Sequence, residues 1–279
     1  MFLLDDQALR CLLKEDVPLG DLTTRSLGIG AANAALTMRA RGAMTACGTE
    51  EAARIFELAG AQADIACASG TPAAPGDLLL AARGRAEAIF AAWKVAQTLV
   101  EWASGVAGAA AGIVAAAETA RPDIIVACTR KAIPGTRALS LKAVTAGGAT
   151  IHRTGLSDTV LVFPEHARFA GSAGVAGQIA RLRQTCPERR IVVEVGDVDA
   201  ALAAAEAGAD VIQLEKFPPD AVAATAAALA PAWPGCLAAA GGITQTNAAA
   251  YAASGAAVLV TSAPYYAPPA DVAVAIEPG

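Results

Sequence analysis

The stretch ACTRKAIPGTRALSLKAVTAGGATIHRTGLSDTVLVFPEH, residues 127–166, decides the fold, and it contains both histidines of the chain. Its first two residues, Ala127 and Cys128, end an apolar run that is typical of a buried strand, and the cations Arg130 and Lys131 follow after Thr129. A second short apolar run is followed in the same way by His152 and Arg153. Since a helical segment separates the two runs, we expect parallel strands that bring their cations to one edge, where α/β proteins bind ligands. Such an edge predicts an anionic ligand.

Apolar runs alternate with helical segments from residue 123 onward, which indicates parallel strands joined by crossover helices. About six such runs occur, at 124–128, 149–152, 191–195, 211–214, 236–239 and 258–261. This pattern predicts a small barrel or an open sheet. We expect the proline-rich segment 264–279 to end in a loose tail.

The first third of the chain has a different pattern, which predicts a small α+β unit. Its segments are a helix at 3–13, a turn-rich loop at 15–24, extended chain at 34–47, a helix at 49–59, strands at 61–68 and 77–82, and a long helix at 85–106.

The composition excludes several classes of function. The chain has 279 residues, of which 55% are hydrophobic. Its net charge of −5 gives no sign of the basic surface that binds nucleic acid. The alanine-rich stretch 103–117 is too short for a membrane span, and Asp5 and Asp6 stand where a signal peptide carries cations. The six cysteines form no CxxC pair, so we expect buried thiols rather than zinc ligands. The sequence predicts a cytoplasmic protein without nucleic-acid or membrane partners.

Carboxylates and glycines also stand at the ends of the apolar runs. Glu194 lies within the third run, Glu215 follows the fourth, and Ser262 follows the sixth. Charged pairs at strand ends stabilise a fold poorly, but they suit a phosphorylated ligand with its Mg²⁺. For Glu194 alone, a paired core carboxylate remains an alternative interpretation. The argument depends on the convergence of several strand ends.

A glycine pair follows the fifth run. Gly241 and Gly242 precede a helix that we expect to begin near residues 244–247, and backbone N–H groups in such a turn can approach a phosphate. A glycine pair alone is more often an ordinary tight connection. Its position near the end of a barrel-like array favours the phosphate site.

Several motifs in fixed order carry a family resemblance. The segments are EDVPLGDLTT, WKVAQTLVEWASGVA, TRKAIPGTRAL, GGATIHRTGLSD, VEVGDVDAALAAAEAGADVIQLEKF and AAGGIT. Together they resemble the motifs of the quinolinate phosphoribosyltransferases, the carboxylating nicotinate-nucleotide pyrophosphorylases. The resemblance covers nearly the whole chain and is strongest to the ModD branch, which is associated with molybdenum transport genes.

The resemblance implies a type II phosphoribosyltransferase fold of the α/β class. It implies an N-terminal α/β sandwich, residues 1–107, and an incomplete β/α barrel, 108–279, whose C-terminal segment can pack back on the first domain. It also implies a reaction in which a pyridine carboxylate and phosphoribosyl pyrophosphate (PRPP) combine, with Mg²⁺, and release pyrophosphate and carbon dioxide. Family members are at least homodimers, in which the long helix around Lys94 completes the neighbouring subunit's site.

The resemblance also implies roles for single residues. Lys131 is similar to a phosphate-binding and catalytic lysine. The residues implied to bind the aromatic acid are Lys94, Arg130, His152, Arg153 and the position of Phe163. Glu194 and Glu215 are similar to the acidic pair near the ribose and the metal. The residues implied to bind the ribose 5-phosphate are Gly241, Gly242 and Ser262. Carboxylates beneath an oxocarbenium-like ribose would stabilise its positive charge, while Mg²⁺ and Lys131 would neutralise the leaving pyrophosphate.

Departures from the family motifs are concentrated on the side of the acceptor. Lys94 replaces an arginine, Phe163 replaces a lysine, and Ile151 replaces an asparagine. Quinolinate has two carboxylates, and the loss of one charge-assisted contact costs about 1.5–3 kcal/mol. The leading hypothesis is therefore a ModD-like phosphoribosyltransferase with an unidentified aromatic or heterocyclic acceptor. The alternatives are a genuine quinolinate phosphoribosyltransferase of NAD synthesis and a catalytically silent binding protein of molybdate metabolism.

Overall fold

The computed structural model describes residues 4–169, 171–230 and 232–279. The chain divides into two compact units, described separately below. The first comprises Met1–Ala111, Ala132–Gly148 and Pro264–Gly279, and the second comprises Gly112–Lys131 and Ala149–Ala263. The first break therefore falls near the boundary expected at 107/108. The segment 132–148, which the sequence assigned to the barrel, belongs to the first unit.

The first unit is built on a four-stranded antiparallel sheet and five helices. In spatial order the strands are β13 (Val272–Pro278), β1 (Asn33–Ala40), β5 (Leu78–Arg85) and β3 (Gln62–Ile65). A separate pair consists of β2 (Met44–Thr45) and β4 (Pro72–Ala73). The helices are α1 (Asp6–Asp16), α2 (Leu22–Ser26), α3 (Thr49–Ala59), α4 (Ala86–Glu118), which continues into the second unit, and α5 (Arg137–Ala146).

Local sequence signals explain several of these elements. Strand β1 alternates buried and more exposed residues, as a sheet with one buried face requires. Helix α1 begins after Asp5, whose carboxylate accepts a hydrogen bond from the N–H of Ala8 at 2.8 Å. Helix α3 ends at Gly60, which adopts a left-handed conformation with φ of 100°.

The long helix α4 has an unusual composition. Among the described residues, it is the helix whose length and mean hydropathy would permit a membrane crossing. Within the first unit, however, Ile89, Ala96 and Val100 are fully buried, and Ser104 accepts a hydrogen bond from the N–H of Cys47 at 2.9 Å. These contacts are those of a core helix in a folded unit.

The second unit contains a seven-stranded parallel sheet. In spatial order the strands are β7 (Thr150–Ile151), β6 (Ile125–Cys128), β12 (Val258–Thr261), β11 (Cys236–Ala240), β10 (Val211–Glu215), β9 (Ile191–Val195) and β8 (Val160–Val162). The outer strands β7 and β8 do not pair, so the barrel is incomplete. The helices are α6 (Pro164–Ala167), α7 (Gly174–Thr185), α8 (Val198–Glu206), α9 (Pro219–Leu229) and α10 (Ala248–Ala253).

The structure confirms the predicted fold class and corrects two details. All six apolar runs form parallel strands, but the sheet has a seventh strand, β8, which has only three residues. The expectation of a loose C-terminal tail is wrong. Strand β13 pairs with β1 from Ala34 opposite Pro278 to Ala40 opposite Val272.

Candidate functional site

A cavity of about 400 Å³ opens at the carboxyl ends of the strands of the second unit. This volume is within the range of small-molecule sites. All of the residues predicted for the site except Lys94 line it. They are Arg130, Lys131, His152, Arg153, Phe163, Glu194, Glu215, Gly241, Gly242 and Ser262.

Strands β6 and β7 place the cations on one side of the cavity. The two strands are parallel neighbours, with Cys128 opposite Ile151, so Arg130 and Arg153 extend from adjacent strand ends. Arg153 is only 6% exposed as a residue, and its guanidinium makes no salt bridge with a residue that the structure describes. Burial, followed by repulsion from Arg130, lowers the pKa of Arg153. A buried cation in this state favours an anionic ligand.

An aromatic group lies beside these cations. The guanidinium carbon of Arg153 is 5.4 Å from the ring centroid of Phe163, which is within the range of a cation–π contact. The Phe163 ring also stacks on His166, with 5.7 Å between the centroids. The backbone N–H of Phe163 donates to Nδ1 of His166 at 3.0 Å, and this bond fixes the imidazole. The acceptor side of the cavity therefore combines a positive charge with an apolar ring.

The other histidine of the chain, His152, is less exposed than His166. Its backbone N–H donates to the carbonyl of Cys128 at 2.9 Å, and this bond extends the pairing of β7 with β6. Burial, followed by repulsion from Arg153, lowers the pKa of His152. The imidazole is therefore neutral at neutral pH, and it can offer both a donor and an acceptor to a ligand.

Strands β9 and β10 bring the carboxylates to the opposite wall. Gln213 lies opposite Glu194 in the parallel register, and Glu215, two residues along β10, lies on the same face of the strand. Nε2 of Gln213 donates to Oε2 of Glu194 at 2.6 Å. Three oxygen-bearing side chains therefore share this wall.

The environment of Glu194 suits a cation. Burial, followed by repulsion from Glu215, raises the pKa of Glu194, although Gln213 and Lys131 oppose the shift. Because Mg²⁺ prefers one or two protein carboxylates together with substrate phosphates, Glu194 and Glu215 fit this ion. In the described part of the chain, no group of three or more histidine, cysteine, aspartate or glutamate side chains is arranged to hold a metal ion.

The glycine pair forms the third side of the cavity. Gly241 and Gly242 have φ values of 92° and 73°, which side chains other than glycine rarely adopt. A Cβ atom on Gly241 would lie 2.8 Å from Cγ of Lys216 and 3.2 Å from Oε1 of Glu215. The turn is held to β12 because the hydroxyl of Thr261 donates to the carbonyl of Ile243 at 2.7 Å. Backbone atoms rather than side chains therefore face a ligand here.

The helix after this turn begins later than the sequence suggested. Helix α10 starts at Ala248 and has six residues. Asn247 closes the preceding turn, because its Oδ1 accepts from the N–H of Thr244 at 2.8 Å and its Nδ2 donates to the carbonyl of Gly242 at 3.0 Å. The turn itself, not the helix end, lines the cavity.

Lys94 lies elsewhere in the chain. It belongs to α4 in the first unit, where its ammonium donates to Oε1 of Gln97 at 3.0 Å and lies 4.2 Å from the ring centroid of Trp93. The sequence predicted that Lys94 serves the site of a neighbouring subunit. A single chain leaves that expectation as a prediction.

Sequence reasoning missed one important residue of the cavity. Gln213 was not selected, although it is a polar residue within the apolar strand VIQLE and stands two positions before Glu215. The strand period of two places both residues on one face, and this signal could have found it. The cavity is completed by residues that the sequence did not select as ligands, namely Thr129, Leu161, Ala240, Ile243, Thr244, Val260, Thr261 and Ala263.

The arrangement combines three chemical capacities. Cations beside an aromatic ring suit an anionic or heteroaromatic molecule, and a wall of carboxylates suits hydroxyl groups or a developing positive charge. A glycine turn allows close approach of a phosphate to the backbone. These capacities together match a phosphorylated sugar and a planar acceptor.

Comparisons with known proteins agree with this geometry. Residues 21–104 match the model of the quinolinate phosphoribosyl transferase N-terminal domain, and residues 106–275 match the model of the C-terminal domain. A Rhodobacter capsulatus relative named as a pyrophosphorylase, ModD, is 64% identical over 89% of this chain and 96% of its own length. The human nicotinate-nucleotide pyrophosphorylase (carboxylating) is 32% identical over 84% of this chain and 78% of its own length.

Solved structures show the same fold. The nicotinate-nucleotide pyrophosphorylase of Francisella tularensis aligns with a TM-score of 0.90 at 21% identity, over 99% of this chain and 98% of the other. The protein NadC from Streptococcus pyogenes aligns with a TM-score of 0.89 at 25% identity, over 98% of this chain and 96% of the other.

Proposed function

Because the chain belongs to the quinolinate phosphoribosyltransferase family, we propose that it transfers the phosphoribosyl group of PRPP to an aromatic or heterocyclic acceptor that carries less negative charge than quinolinate. The chain is a phosphoribosyltransferase of the pyrophosphorylase type. The observation that carries the proposal is the position of Phe163. Its ring lines the cavity beside Arg153, where the family motif places a lysine.

The carboxylate wall and the glycine turn serve the phosphoribosyl group. The turn of Gly241 and Gly242, with Ser262, receives the 5-phosphate through backbone and hydroxyl groups. Lys131 lies near enough to Glu194 to oppose part of the rise in the pKa of that carboxyl group. In the proposed complex its ammonium meets the pyrophosphate. Glu194 and Glu215 face the ribose from below.

The reaction forms a bond from C1 of the ribose to a nitrogen of the acceptor and breaks the bond from C1 to the pyrophosphate oxygen. Positive charge develops on the ribose in the transition state, and Glu194 and Glu215 stabilise it electrostatically. The electron pair of the broken bond leaves with pyrophosphate, whose charge Lys131 offsets. Bound Mg²⁺, held by the two carboxylates, would supply further neutralisation of the phosphates.

The part of the cavity that we assign to the acceptor carries fewer cations than the family motif implies. Arg130, His152 and Arg153 retain positive or hydrogen-bonding groups for one anionic substituent. Phe163 offers a ring face instead of a second cation, so a second carboxylate would meet an apolar surface and lose a contact of about 1.5–3 kcal/mol. An acceptor with one anionic group and a planar ring satisfies both features.

The remaining parts of the proposal concern the cell. We place the enzyme in the cytoplasm as a homodimer or higher homo-oligomer, in which Lys94 of one subunit completes the site of another. We also propose a role linked to molybdenum, because the ModD branch that the sequence resembles is associated with molybdenum transport genes. Genome neighbourhood tests that link directly, because co-location with molybdate transport genes is expected.

Calorimetric titration with PRPP and Mg²⁺, followed by quinolinate and an assay of pyrophosphate release, tests the proposal. We expect PRPP to bind and quinolinate to turn over far below about 1 per second, the lower end of ordinary enzyme rates. The Lys131→Ala variant should weaken PRPP binding by roughly tenfold to a hundredfold, since a charge-assisted contact is lost. Lys14→Ala, which removes an exposed lysine of α1, is the matched control.

The other two hypotheses give different results. Rapid quinolinate turnover in the wild-type protein identifies a genuine quinolinate phosphoribosyltransferase and overturns the altered acceptor side. A wild-type protein that does not bind PRPP identifies a catalytically silent protein on this fold. If PRPP binds and quinolinate does not react, the same assay serves to screen heteroaromatic acids with one carboxylate.

A further inference from the structure

Gln213 has a buried acceptor atom without a partner. Its side chain is only 4% exposed, yet it contributes to the lining of the cavity. Nε2 donates to Oε2 of Glu194 at 2.6 Å, whereas Oε1 has no hydrogen-bond partner among the described residues. Four buried side-chain polar atoms in the described residues have no hydrogen-bond partner: Gln213 Oε1, Thr49 Oγ1, Glu51 Oε1 and Gln178 Oε1. Of these four residues, only Gln213 lines the cavity.

The orientation of this amide follows from its neighbour. An ionised carboxylate can only accept hydrogen bonds, so the amide nitrogen of Gln213 faces Glu194 and the carbonyl oxygen faces away from it. A buried acceptor that stays unpaired costs about 1–3 kcal/mol. A ligand that brings a donor to this oxygen would recover that loss.

The neighbours of Gln213 define the chemistry of such a ligand. Gln213 and Glu215 lie on the same face of β10, and Glu194 lies opposite Gln213 on β9. Gln213 therefore lines the cavity beside two carboxylate side chains, and carboxylate and amide oxygens all accept hydrogen bonds. A molecule with adjacent hydroxyl groups supplies several donors at this spacing, as a furanose ring does.

We propose that Oε1 of Gln213 accepts a hydrogen bond from a ring hydroxyl of the bound pentose and so makes the site selective for ribose over deoxyribose. This inference rests on the proposed function, which supplies the phosphorylated pentose. In this arrangement the amide holds Glu194 with one end and the sugar with the other. Gln213 is thereby a specificity-determining residue of the phosphoribosyl side.

Binding of three sugar phosphates tests the proposal. The probes are ribose 5-phosphate, 2-deoxyribose 5-phosphate and 3-deoxyribose 5-phosphate, titrated calorimetrically into the wild-type protein and the Gln213→Met variant. We expect the wild type to bind one deoxy sugar about tenfold more weakly than ribose 5-phosphate, because one hydrogen bond is missing. In Gln213→Met, which has a similar length and no amide, that preference should fall to about twofold or less.

The comparison of ligands separates the two ends of the amide. Loss of the bond to Glu194 weakens all three sugars equally, whereas loss of Oε1 weakens only the two sugars that carry its hydroxyl partner and leaves the third unchanged. An equal loss for all three in Gln213→Met therefore overturns the proposal. Thr225→Val, which removes another buried hydrogen-bonding side chain in α9, is the control for general destabilisation.

Two further measurements keep the proposal falsifiable. Gln213→Leu, a second variant of similar size without an amide, serves if Gln213→Met does not fold, and it too should lower the preference for ribose to about twofold or less. A wild-type protein that binds the three sugars equally overturns the proposal whatever the variants do. If the wild type binds PRPP but shows no preference among the sugars, only this inference fails; if it does not bind PRPP, the proposed function fails as well.

Discussion

At the scale of single residues, the proposed function makes Phe163 the side chain that limits the charge of the acceptor. The ring centroid lies 5.4 Å from the guanidinium carbon of Arg153, so the aromatic face already covers one buried cation. A lysine at this position would instead add a second cation beside Arg153. The number of carboxylates that the site tolerates should therefore depend on this one side chain.

The double variant Phe163→Lys with Lys94→Arg should raise quinolinate turnover at least tenfold. The change restores a cation and a bidentate guanidinium for the second carboxylate, each a charge-assisted contact of about 1.5–3 kcal/mol. Pyrophosphate release with PRPP, Mg²⁺ and quinolinate measures the gain. Phe169→Lys, which alters a phenylalanine that is not part of the cavity lining, is the matched control and should leave turnover unchanged. No gain in the double variant would contradict the proposed acceptor side.

Lys216 carries backbone strain next to the glycine turn. It is a non-glycine residue with a φ of 61°, and its N–H donates to the carbonyl of Ala240 at 2.7 Å. The left-handed conformation costs most residues about 1–2 kcal/mol, whereas asparagine adopts it more readily. Lys216→Asn should therefore increase the free energy of unfolding by about 0.5–1 kcal/mol in urea denaturation. Lys216→Ala keeps the strain and should show no increase; an equal gain in both variants would contradict the explanation.

Most of the residues that line the cavity could be predicted from the sequence, whereas the signal for Gln213 is limited to the strand period that it shares with Glu215. Strand-end cations, carboxylates and glycines stand out because apolar runs surround them. Gln213 lies within its strand, where a polar residue is commonly explained by the exposed face of a sheet. Its orientation toward the cavity depends on the register of β10 with β9, which a single sequence does not specify.

At the scale of elements, helices α3 and α5 of the first unit are joined by a buried ion cluster. The ammonium of Lys142 on α5 donates to Oε2 of Glu50 at 2.8 Å and also contacts Glu51, and Lys142 and Glu51 are each only 1% exposed. Ser69 adds hydrogen bonds to Glu50 from its N–H and its hydroxyl. The cluster holds α5, which directly follows the segment that carries Arg130 and Lys131 in the sequence.

Lys142→Met should destabilise the protein by about 3–5 kcal/mol. The substitution leaves the Glu51 carboxylate buried without its cation, and an uncompensated buried charge is costly. Urea denaturation followed by circular dichroism measures the loss. Arg54→Met is the matched control, because it removes a cation that pairs with Asp6 in an exposed position, and it should cost no more than about 1 kcal/mol. Equal losses would mean that the buried cluster contributes no more than a surface pair.

The stability supplied by Glu50 should depend on pH in the acid range. Burial alone would raise the pKa of Glu50, but hydrogen bonds from Lys142 and Ser69 outweigh it and lower the pKa from 4.5 to about 2. A carboxyl group with a lowered folded-state pKa stabilises the fold above its unfolded pKa and loses that effect as the pH falls toward the folded value. The difference in unfolding free energy between wild type and Glu50→Gln should therefore be constant above about pH 5 and decrease between about pH 4.5 and about pH 2. A difference that stays constant down to pH 2 would contradict the shift.

The elements were predictable where periodicity extends over several turns or residues. The sequence located α3 at residues 49–59 and six of the seven parallel strands, including β7 with only two residues. Strand β8 was not distinguished from the loop sequence around it, and α2 was missed because its five residues lie in a segment rich in turn formers. Helix α4 extends to Glu118, although the sequence predicted its end at residue 106. The glycines within it weaken the helix but do not end it, because one of its faces is buried.

At the scale of the whole molecule, the sequence predicted the classes of both units but not the connections between distant segments. The βα alternation from residue 123 implies parallel strands, because a helix between two strands is the connection that brings the chain back to start the next strand in the same direction. The family resemblance allowed the C-terminal segment to pack back on the first domain, but the pairing of β13 with β1 was not visible, because the partners lie more than two hundred residues apart. Non-local pairing of this kind depends on tertiary packing rather than on local pattern.

The segment 19–29 of the first unit exposes several apolar side chains, which a second copy of this chain would cover in the proposed homodimer. Leu19, Leu22 and Leu27 are largely exposed, and large apolar side chains concentrated in so short a segment are typical of a surface that another protein covers. The proposed homodimer supplies that partner. Burial of a single leucine in such a contact contributes about 1.5–3 kcal/mol.

Leu22→Asp should therefore weaken the association of the subunits at least tenfold and produce monomers at low micromolar concentration. Leu22 is 73% exposed in the single chain, so the change should leave the fold of the unit intact. Light scattering after size-exclusion chromatography measures the mass, with Leu202→Asp on α8 as the control for a new surface charge. Because the proposal places Lys94 in the site of a neighbouring subunit, monomers should bind PRPP but fail to use an acceptor. Monomers that retain full turnover would show that each chain contains a complete site and that Lys94 acts, if at all, within its own subunit.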